Sequence, residues 1–140
     1  MDYVKENDIK KLVQLIDPNN QNAEWLKTLF KDVAKIKESE QGRFLNEMNA
    51  DTVVALYYPI YNQYFSHDEI KELIRFYSSE VGVKLALNKS GDSSQSFTSD
   101  ELEEIENFKK TIVGRKYSDL SSKIARQHTE SVKKYIDSCK

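Results

Sequence analysis

A motif that the chain carries twice constrains its fold more than any other feature. Phe65 to Leu85 reads FSHDEIKELIRFYSSEVGVKL, and thirty-two residues later Phe97 to Tyr117 reads FTSDELEEIENFKKTIVGRKY. Both copies keep the order Phe, Ser or Thr, any residue, Asp, Glu, Ile or Leu, and later Phe, two residues, Ser or Thr, any residue, Val, Gly, any residue, Lys. The chain is therefore predicted to contain two related structural units.

The start of each copy has the signals that begin a helix. In the first copy, Ser66 as the N-cap and Glu69 as the third helical residue predict a capping box. Phe65 before the cap and Ile70 as the fourth helical residue have the spacing of a hydrophobic staple. The corresponding residues of the second copy are Phe97, Thr98, Glu101 and Leu102. We expect the apolar residue after each capping box, Leu102 included, to face inward.

A second helix is predicted within each copy, so that each copy is a helical hairpin. Ser79 and Thr111 are its predicted caps, and Gly82 and Gly114 follow three residues later. Glycine inside a helix costs about 1 kcal/mol relative to alanine. Its presence at the same position in both copies therefore predicts that another helix passes close by.

The rest of the chain has helical periodicity, and the predicted fold class is all-α. Apolar residues recur at helical rather than alternating spacing, and there are only four glycines and two prolines. We predict one compact helical bundle of about six to seven helices, built from hairpins, with a long C-terminal helix. The predicted divisions of this single domain, 1–140, are N-terminal helices at 1–50, hairpins at 51–86 and 97–137, and a polar loop at 87–96.

Charge and composition exclude several classes of partner and site. The chain has 21 basic and 23 acidic residues, a net charge of -2, and interspersed signs, whereas nucleic acid binding needs a concentrated positive face. No apolar run approaches the roughly 18 residues of a membrane span. The first residues lack the apolar stretch of a signal peptide, which leaves open an exported protein whose leader has been removed. Cys139, the only cysteine, excludes an internal disulfide and a cysteine-based zinc site.

The first copy and the stretch before it, YPIYNQYFSHDEIKELIRFYSSEVGVKL at 58–85, carry a family signature. Its residues are Tyr61, Phe65, Ser66, Glu69, Ile70, Phe76, Tyr77, Ser79, Gly82 and Lys84. The segment resembles the bacterial domain of unknown function twenty fifty-nine family. Glu80, where members often have proline, and the second copy at 97–117 depart from the family pattern. The resemblance implies a helical fold and a periplasmic or secreted location, with the cytoplasm as the alternative, but no activity.

Tyrosine is concentrated in the helix that precedes the first copy. The candidate binding residues there are Tyr57, Tyr58, Pro59, Tyr61 and Tyr64. Tyr57, Tyr61 and Tyr64 share one helical face. They are interpreted as a half-buried core layer or, alternatively, as a groove that binds a protein segment or an amphipathic ligand. Pro59 predicts a kink or a break in this helix.

No set of residues predicts catalysis, a cofactor or a bound metal. His67, Asp68 and Glu69 are adjacent, but successive helical residues point in different directions and the capping box already accounts for Glu69. His128 has no histidine or carboxylate one turn further on and is predicted to be an interior or boundary residue. The run ELEEIE at 101–106 is interpreted as a solvated helix face, with binding of a cation or a basic partner as the alternative.

The sequence therefore predicts a function class rather than a reaction. The expected protein is a non-catalytic, exported helical module with an interaction or structural role. The alternative is a carrier whose helices part around a hydrophobic or lipid-like ligand. The sequence assigns no oligomeric state.

Overall fold

Helices form the fold in the computed structural model, which describes residues 3–33, 38–89 and 96–138. They are α1 (Tyr3–Ile16), α2 (Gln21–Val33), α3 (Glu38–Glu47), α4 (Ala50–Tyr64), α5 (His67–Ser78), α6 (Glu80–Lys89), α7 (Ser99–Lys110) and α8 (Ile112–Ser138). The all-α prediction is confirmed, with eight helices in these ranges against the six to seven predicted. The helix with the weakest sequence signal is α3, where Gly42 interrupts the apolar pattern.

The turn between α1 and α2 is held by Asp17, whereas the sequence also allows Asn22 to cap α2. The Asp17 carboxylate accepts hydrogen bonds from the backbone N–H groups of Gln21, at 2.9 Å, and Asn22, at 3.0 Å. Asn20 has a φ of 53°, a left-handed conformation that asparagine tolerates well. The chain can therefore reverse within a few residues and lay α2 across α4.

The tyrosine-bearing helix α4 is continuous through Pro59. The Asn49 side chain caps it by accepting from the N–H groups of Asp51, at 3.0 Å, and Thr52, at 3.3 Å. The predicted break at Pro59 is not present, since the helix runs on to Tyr64. Pro59 and Ala55 are both exposed, so water can reach the carbonyl that the proline ring leaves without its helical partner.

The main core surrounds α5, which packs against α1, α6 and α8. Its fully enclosed side chains come from α1 and α5, and the loop residue before α5 is almost as deep. The most deeply buried members are Ile9, Leu12, Phe65, Ile70 and Leu73. Burial of these side chains is the dominant favourable term in the stability of this half of the molecule.

A second core cluster lies where α2 and the end of α3 meet the last turns of α8. Its buried members are Leu26, Phe30, Met48, Val132 and Ile136. The 27-residue helix α8 also contributes Ile124 to the main core, so a single long helix connects the two clusters. The prediction of a long C-terminal helix is confirmed.

The boundaries of the hairpin units differ slightly from those predicted. Helix α6 continues to Lys89, so residues 87–89 belong to the helix rather than to the loop. The rest of the predicted loop up to residue 95, and Cys139, lie outside the described residues. No helix in the described ranges has both the length and the apolar character needed to cross a membrane.

Candidate functional site

Each copy of the motif folds into two helices joined by a one-residue corner. In the first copy, the Ser79 hydroxyl donates to the Phe76 carbonyl, and it accepts from the N–H of Gly82 at 3.1 Å. A Cβ atom on Gly82 would lie 1.9 Å from the Phe76 carbonyl oxygen. Only glycine fits there, because the end of α5 approaches the first turn of α6 so closely.

The second copy has the same corner between α7 and α8. The Thr111 hydroxyl donates to the Phe108 carbonyl at 2.6 Å and accepts from the N–H of Gly114 at 3.1 Å. A Cβ atom on Gly114 would lie 2.0 Å from the Phe108 oxygen. The predicted close approach is therefore confirmed at both glycines, and the neighbouring helix is the preceding helix of the same hairpin.

Both predicted capping boxes are present, with nearly identical geometry. Ser66 has φ -73° and ψ 165°, and Thr98 has φ -74° and ψ 167°. The backbone N–H of Ser66 donates to Glu69 at 2.9 Å, and that of Thr98 donates to Glu101 at 3.0 Å. In both copies the return bond, from the glutamate N–H to the hydroxyl of the cap, is 3.2 Å.

The two copies face each other through reciprocal ion pairs. Lys84 of the first copy donates to both carboxylate oxygens of Glu101 in the second, at 2.8 and 3.0 Å. Lys116 of the second copy donates to both oxygens of Glu69 in the first, at 2.9 and 3.1 Å. In each pair, the lysine two residues after the corner glycine of one copy binds the capping-box glutamate of the other copy. The two copies are therefore related by a local two-fold pseudo-symmetry.

A pair of stacked phenylalanines lies between the two copies. The rings of Phe76 and Phe108, which occupy the same position of the motif, stack with centroids 3.9 Å apart and an angle of 7°. Lys84 lies 5.4 Å from the ring centroid of Phe97, and Lys116 lies 5.3 Å from that of Phe65. These paired cation–π contacts obey the same two-fold relation and place the pseudo-symmetry axis beside the Phe76–Phe108 stack.

The reciprocal pairs stabilise the ionised form of both capping glutamates. Partial burial of Glu69 opposes its ionisation, but hydrogen bonds from Lys116 and Ser66 outweigh this effect and lower its pKa. The hydrogen bond from Lys84, followed by that from Thr98, lowers the pKa of Glu101. Both capping boxes and both ion pairs are therefore intact at neutral pH.

An open groove of about 340 Å³ lies over the stacked rings and is called the axial groove here. It is lined by Glu72, Arg75, Phe76, Ser79, Glu104, Phe108, Thr111 and Val113. Glu72 and Glu104 occupy the same motif position, and in the described part of the chain neither they nor Arg75 has an ion-pair partner within 4.0 Å. Ile112, next to two lining residues, is 87% exposed. The groove thus combines an aromatic floor with free charges.

The tyrosines of α4 do not converge on one surface. Tyr61 is 3% exposed, and the hydroxyls of Tyr117 and Tyr77 lie near it. Burial raises the pKa of all three hydroxyls, so they stay protonated at physiological pH. Of the α4 tyrosines, Tyr61 fits the interpretation as a core layer, because its side chain packs inside the molecule.

Tyr57 and Tyr64 pack against α8. The Tyr57 ring stacks on His128 with centroids 3.8 Å apart and an angle of 7°. Tyr64 accepts a hydrogen bond of 2.7 Å from the Gln127 side chain, and Lys123 lies over its ring. Both side chains are half-buried and connect α4 to the C-terminal helix.

Tyr58 and Pro59 lie on the outer side of α4. Tyr58 lines an open groove of about 420 Å³ between α1 and α4, and the ion pair between Lys10 and Asp51, at 3.5 Å, is part of the same lining. Pro59 is exposed. The binding surface predicted around these tyrosines is therefore reduced to Tyr58 and Pro59, and binding there stays a prediction.

A small cavity among the tyrosines is relevant to the carrier alternative. It has a volume of about 140 Å³, and its lining includes Tyr57, Tyr61 and Tyr117. Drug-sized ligands occupy pockets of about 300 to 1,000 Å³, whereas a cavity of about 150 Å³ holds a molecule the size of benzene. A long acyl chain would fit only if the helices moved apart.

Both histidines contact other side chains within the protein. His67 is 2.7 Å from the Asp8 carboxylate, a contact that joins α5 to α1. His128 is 5% exposed, which places it in the interior, the first of the two predicted positions, and neither ring nitrogen has a hydrogen-bond partner among the described residues. Burial lowers the pKa of His128 to about 4. No group of three or more potential metal ligands occurs in the ranges that the structure describes.

The axial groove was not predicted from the sequence, although part of its signal was visible there. The alignment of the copies includes Phe76 and Phe108, and the acidic run at 101–106 includes Glu104. Neither observation reveals that the two copies face each other. That arrangement depends on contacts between residues far apart in sequence, such as Lys116 and Glu69, which are 47 positions apart.

Residues 51–89 match a family model described as "Uncharacterized protein conserved in bacteria (DUF2059)". The match confirms the resemblance noted from the sequence and covers α4, α5 and α6, which are the tyrosine helix and the first copy. The second copy lies outside it. Neither a curated protein nor a solved structure showed a match to the chain.

Proposed function

We propose that the protein is a non-catalytic interaction module and that the axial groove binds a segment of a partner protein. The observation that carries the proposal is the combination of a stacked Phe76–Phe108 floor with the free carboxylates of Glu72 and Glu104. Buried aromatic surface supplies affinity at interfaces, and unpaired charges at the rim select the partner.

The charges of the groove favour a segment that is both apolar and basic. Two carboxylates and one guanidinium give the lining a net charge of about -1. A lysine or arginine of the partner can pair with Glu72 or Glu104, while an apolar neighbour covers the phenylalanine rings. Ile112, almost fully exposed beside the groove, adds apolar surface that a partner would cover.

The proposal includes an extracytoplasmic location. This part rests on the family resemblance at residues 51–89, which implies a periplasmic or secreted location. Fractionation of a bacterium that expresses the full-length natural gene product would test it. Recovery of the protein only in the cytoplasm would contradict this part of the proposal and leave the groove chemistry unaffected.

The carrier function is the second candidate, favoured by the cavity beside Tyr57, Tyr61 and Tyr117. Its volume of about 140 Å³ requires helices α4 and α8 to separate before a lipid-like chain can enter. Native mass spectrometry of the purified protein distinguishes the two functions. A stoichiometric co-purified lipid would favour the carrier over the interaction module.

Binding at the axial groove can be measured with a synthetic amphipathic peptide of leucine and lysine. We expect saturable shifts of the backbone NMR signals around Phe76 and Phe108, with a dissociation constant below about 1 mM. Glu72→Lys and Glu104→Lys should each weaken binding about tenfold, since each replaces an attraction by a repulsion. A peptide of leucine and glutamate should bind more weakly than the basic one.

Glu6→Lys is the matched control, because Glu6 lines the groove beside Tyr58 and its substitution changes the net charge by the same amount. This variant should bind the basic peptide as the parent does. Equal weakening by all three substitutions would mean that only overall charge matters. Shifts around Tyr58 instead of Phe76 would move the site to the groove between α1 and α4, which contains one of the tyrosines predicted from the sequence as binding residues.

A further inference from the structure

We infer that the cavity beside the tyrosines of α4 binds a small uncharged molecule with one aromatic ring and one hydrogen-bonding group, such as a phenol. The cavity lies between α1, α4 and α8, and its lining includes Tyr57, Tyr61 and Tyr117. The inference does not depend on peptide binding at the axial groove. It also differs from the carrier candidate, because a ligand of this size enters without separation of the helices.

The size of the cavity admits a single ring. Its volume of about 140 Å³ is close to that of an engineered cavity of about 150 Å³ that holds benzene. Val13, Tyr61 and Ile124 are each at most 5% exposed and form the inner part of the lining. Ser121 and Ala125 of α8 also line the cavity and are exposed. A ligand can therefore enter beside α8 and be enclosed by apolar side chains.

The aromatic walls of the cavity are held by contacts with rings behind them. The Tyr57 ring stacks on His128 with centroids 3.8 Å apart, and the Tyr61 ring stacks on Phe65 with centroids 5.8 Å apart. Turning either tyrosine ring to fill the cavity would break one of these contacts. The space is therefore preformed, and a bound aromatic ring can pack against tyrosine rings without a cost of rearranging them.

The polar groups of the lining are uncharged, which selects an uncharged ligand. They include the hydroxyls of Tyr57, Tyr117 and Ser121 and the amide of Asn22, and no charged residue in the described part of the chain lines the cavity. Burial raises the pKa of the Tyr57 and Tyr117 hydroxyls, so both stay protonated at neutral pH. A protonated hydroxyl can donate and accept a hydrogen bond, whereas an ion in this cavity would have no counter-charge.

The test is a titration of the protein with phenol, followed by the backbone NMR signals. We expect saturable shifts at Tyr61 and Ile124, with a dissociation constant below about 1 mM. Benzene should bind about threefold to tenfold more weakly, because it leaves the polar groups of the lining without a partner. Benzoate, which is charged, should cause no shifts at these residues up to about 10 mM.

Two substitutions on α8 check that phenol enters this cavity. A helical side chain leans towards the residue four positions earlier, so Ser121→Phe places a ring over Tyr117 and the entrance. It should weaken phenol binding at least about tenfold. Ser122→Phe is the matched control, since Ser122 is also exposed but is not part of the lining. This variant should bind phenol as the parent does.

Four results would overturn the inference. Absence of saturable shifts with phenol would mean that the cavity holds only water. Equal weakening by Ser121→Phe and Ser122→Phe would place the binding elsewhere, and tighter binding of benzene than of phenol would show that the polar groups do not contact the ligand. Decanol binding at Tyr61 and Ile124 as tightly as phenol would mean that the helices part for a long chain, which favours the carrier. The peptide titration at the axial groove is unaffected by any of these results.

Discussion

The two copies begin in the same way but are buried to different extents. Their capping boxes have the same backbone angles within 2° and the same hydrogen bonds within 0.1 Å. The apolar residue that follows, however, is fully buried at Ile70 and 52% exposed at Leu102. The local signals of a helix start are therefore independent of the position that the helix takes in the fold.

The positions of the first helices explain this difference. Helix α5 lies between α1, α6 and α8, so its inner face has neighbours on several sides. Helix α7 packs against α6 and α8 and lies at the edge of the molecule. The expectation that Leu102 faces inward is wrong for this reason, since no helix in the described ranges covers that side of α7.

The second helices of the two copies differ in length. Helix α6 has 10 residues and α8 has 27. The additional turns of α8 reach the second core cluster and carry His128, which has no counterpart in the first copy. The second copy thus combines an exposed first helix, α7, with α8, the longest helix in the described ranges.

The largest expected difference between the copies is at Ile70 and Leu102. Ile70→Ala should lower the free energy of unfolding by about 2 to 5 kcal/mol, because it leaves a cavity in the main core. Leu102→Ala should change it by less than about 1 kcal/mol, because half of that side chain is in water. Chemical denaturation of both variants measures the difference. Equal losses would mean that α7 is covered in solution, for example by a partner chain.

The next effect concerns pH and the extension of α8. Burial lowers the pKa of His128 to about 4, against an ordinary value of about 6.5 in the unfolded chain. The unfolded chain therefore binds this proton more tightly than the folded protein does. As a consequence, the free energy of unfolding falls as the pH decreases from about 6.5 towards 4. The total loss should be roughly 3 kcal/mol, and stability should not depend on this group above pH 7.

His128→Leu removes the titrating group and is the matched variant. Both ring nitrogens lack hydrogen-bond partners in the part of the chain that the structure describes, so an apolar replacement of similar size should leave stability at pH 7 nearly unchanged. Between pH 6.5 and about 5, only the parent should lose stability. The comparison avoids lower pH, where carboxylates with lowered pKa values such as Glu69 also contribute a loss. Parallel curves for parent and variant would mean that the pKa of His128 is not lowered in the folded protein, contrary to its burial.

The corner glycines should show that both copies share one geometry. Gly82→Ala and Gly114→Ala each place a methyl group about 2 Å from a carbonyl oxygen, which should lower stability by about 1 to 3 kcal/mol. Gly42→Ala is the control, since no atom of the described residues lies within 4 Å of its added Cβ, and it should raise stability by up to about 1 kcal/mol. A gain at Gly82 or Gly114 would contradict the tight corner in that copy.

Much of the fold was predictable because its signals are local. The capping boxes at Ser66 and Thr98 and the cap at Asn49 depend on residues within one turn, so the sequence contains all that they need. Asp17 was missed because it caps a helix that begins four residues later, after a left-handed residue. Leu102 was placed wrongly because periodicity identifies an apolar stripe but not what covers it.

The candidate site was less predictable, because its residues are distant in sequence. The tyrosines of α4 were identified as a group, yet the directions they take depend on α1 and α8. Glu72 and Glu104 are unremarkable charges on helix surfaces until the two copies are placed face to face. A repeat predicts that two units are alike, whereas their relative orientation is set by tertiary contacts.

The smallest predicted effect tests whether the capping boxes are as independent of position as their geometry indicates. Ser66→Ala and Thr98→Ala each remove the side-chain acceptor of one backbone N–H. Each should lower stability by about 1 kcal/mol, or roughly 3 to 4 °C in the melting temperature of a chain of this length. Equal losses in the buried and the exposed copy would support a purely local role. If Thr98→Ala has no effect while Ser66→Ala does, the start of α7 frays in solution. A capping box in this protein would then contribute to stability only where a neighbouring helix holds the first turn in place.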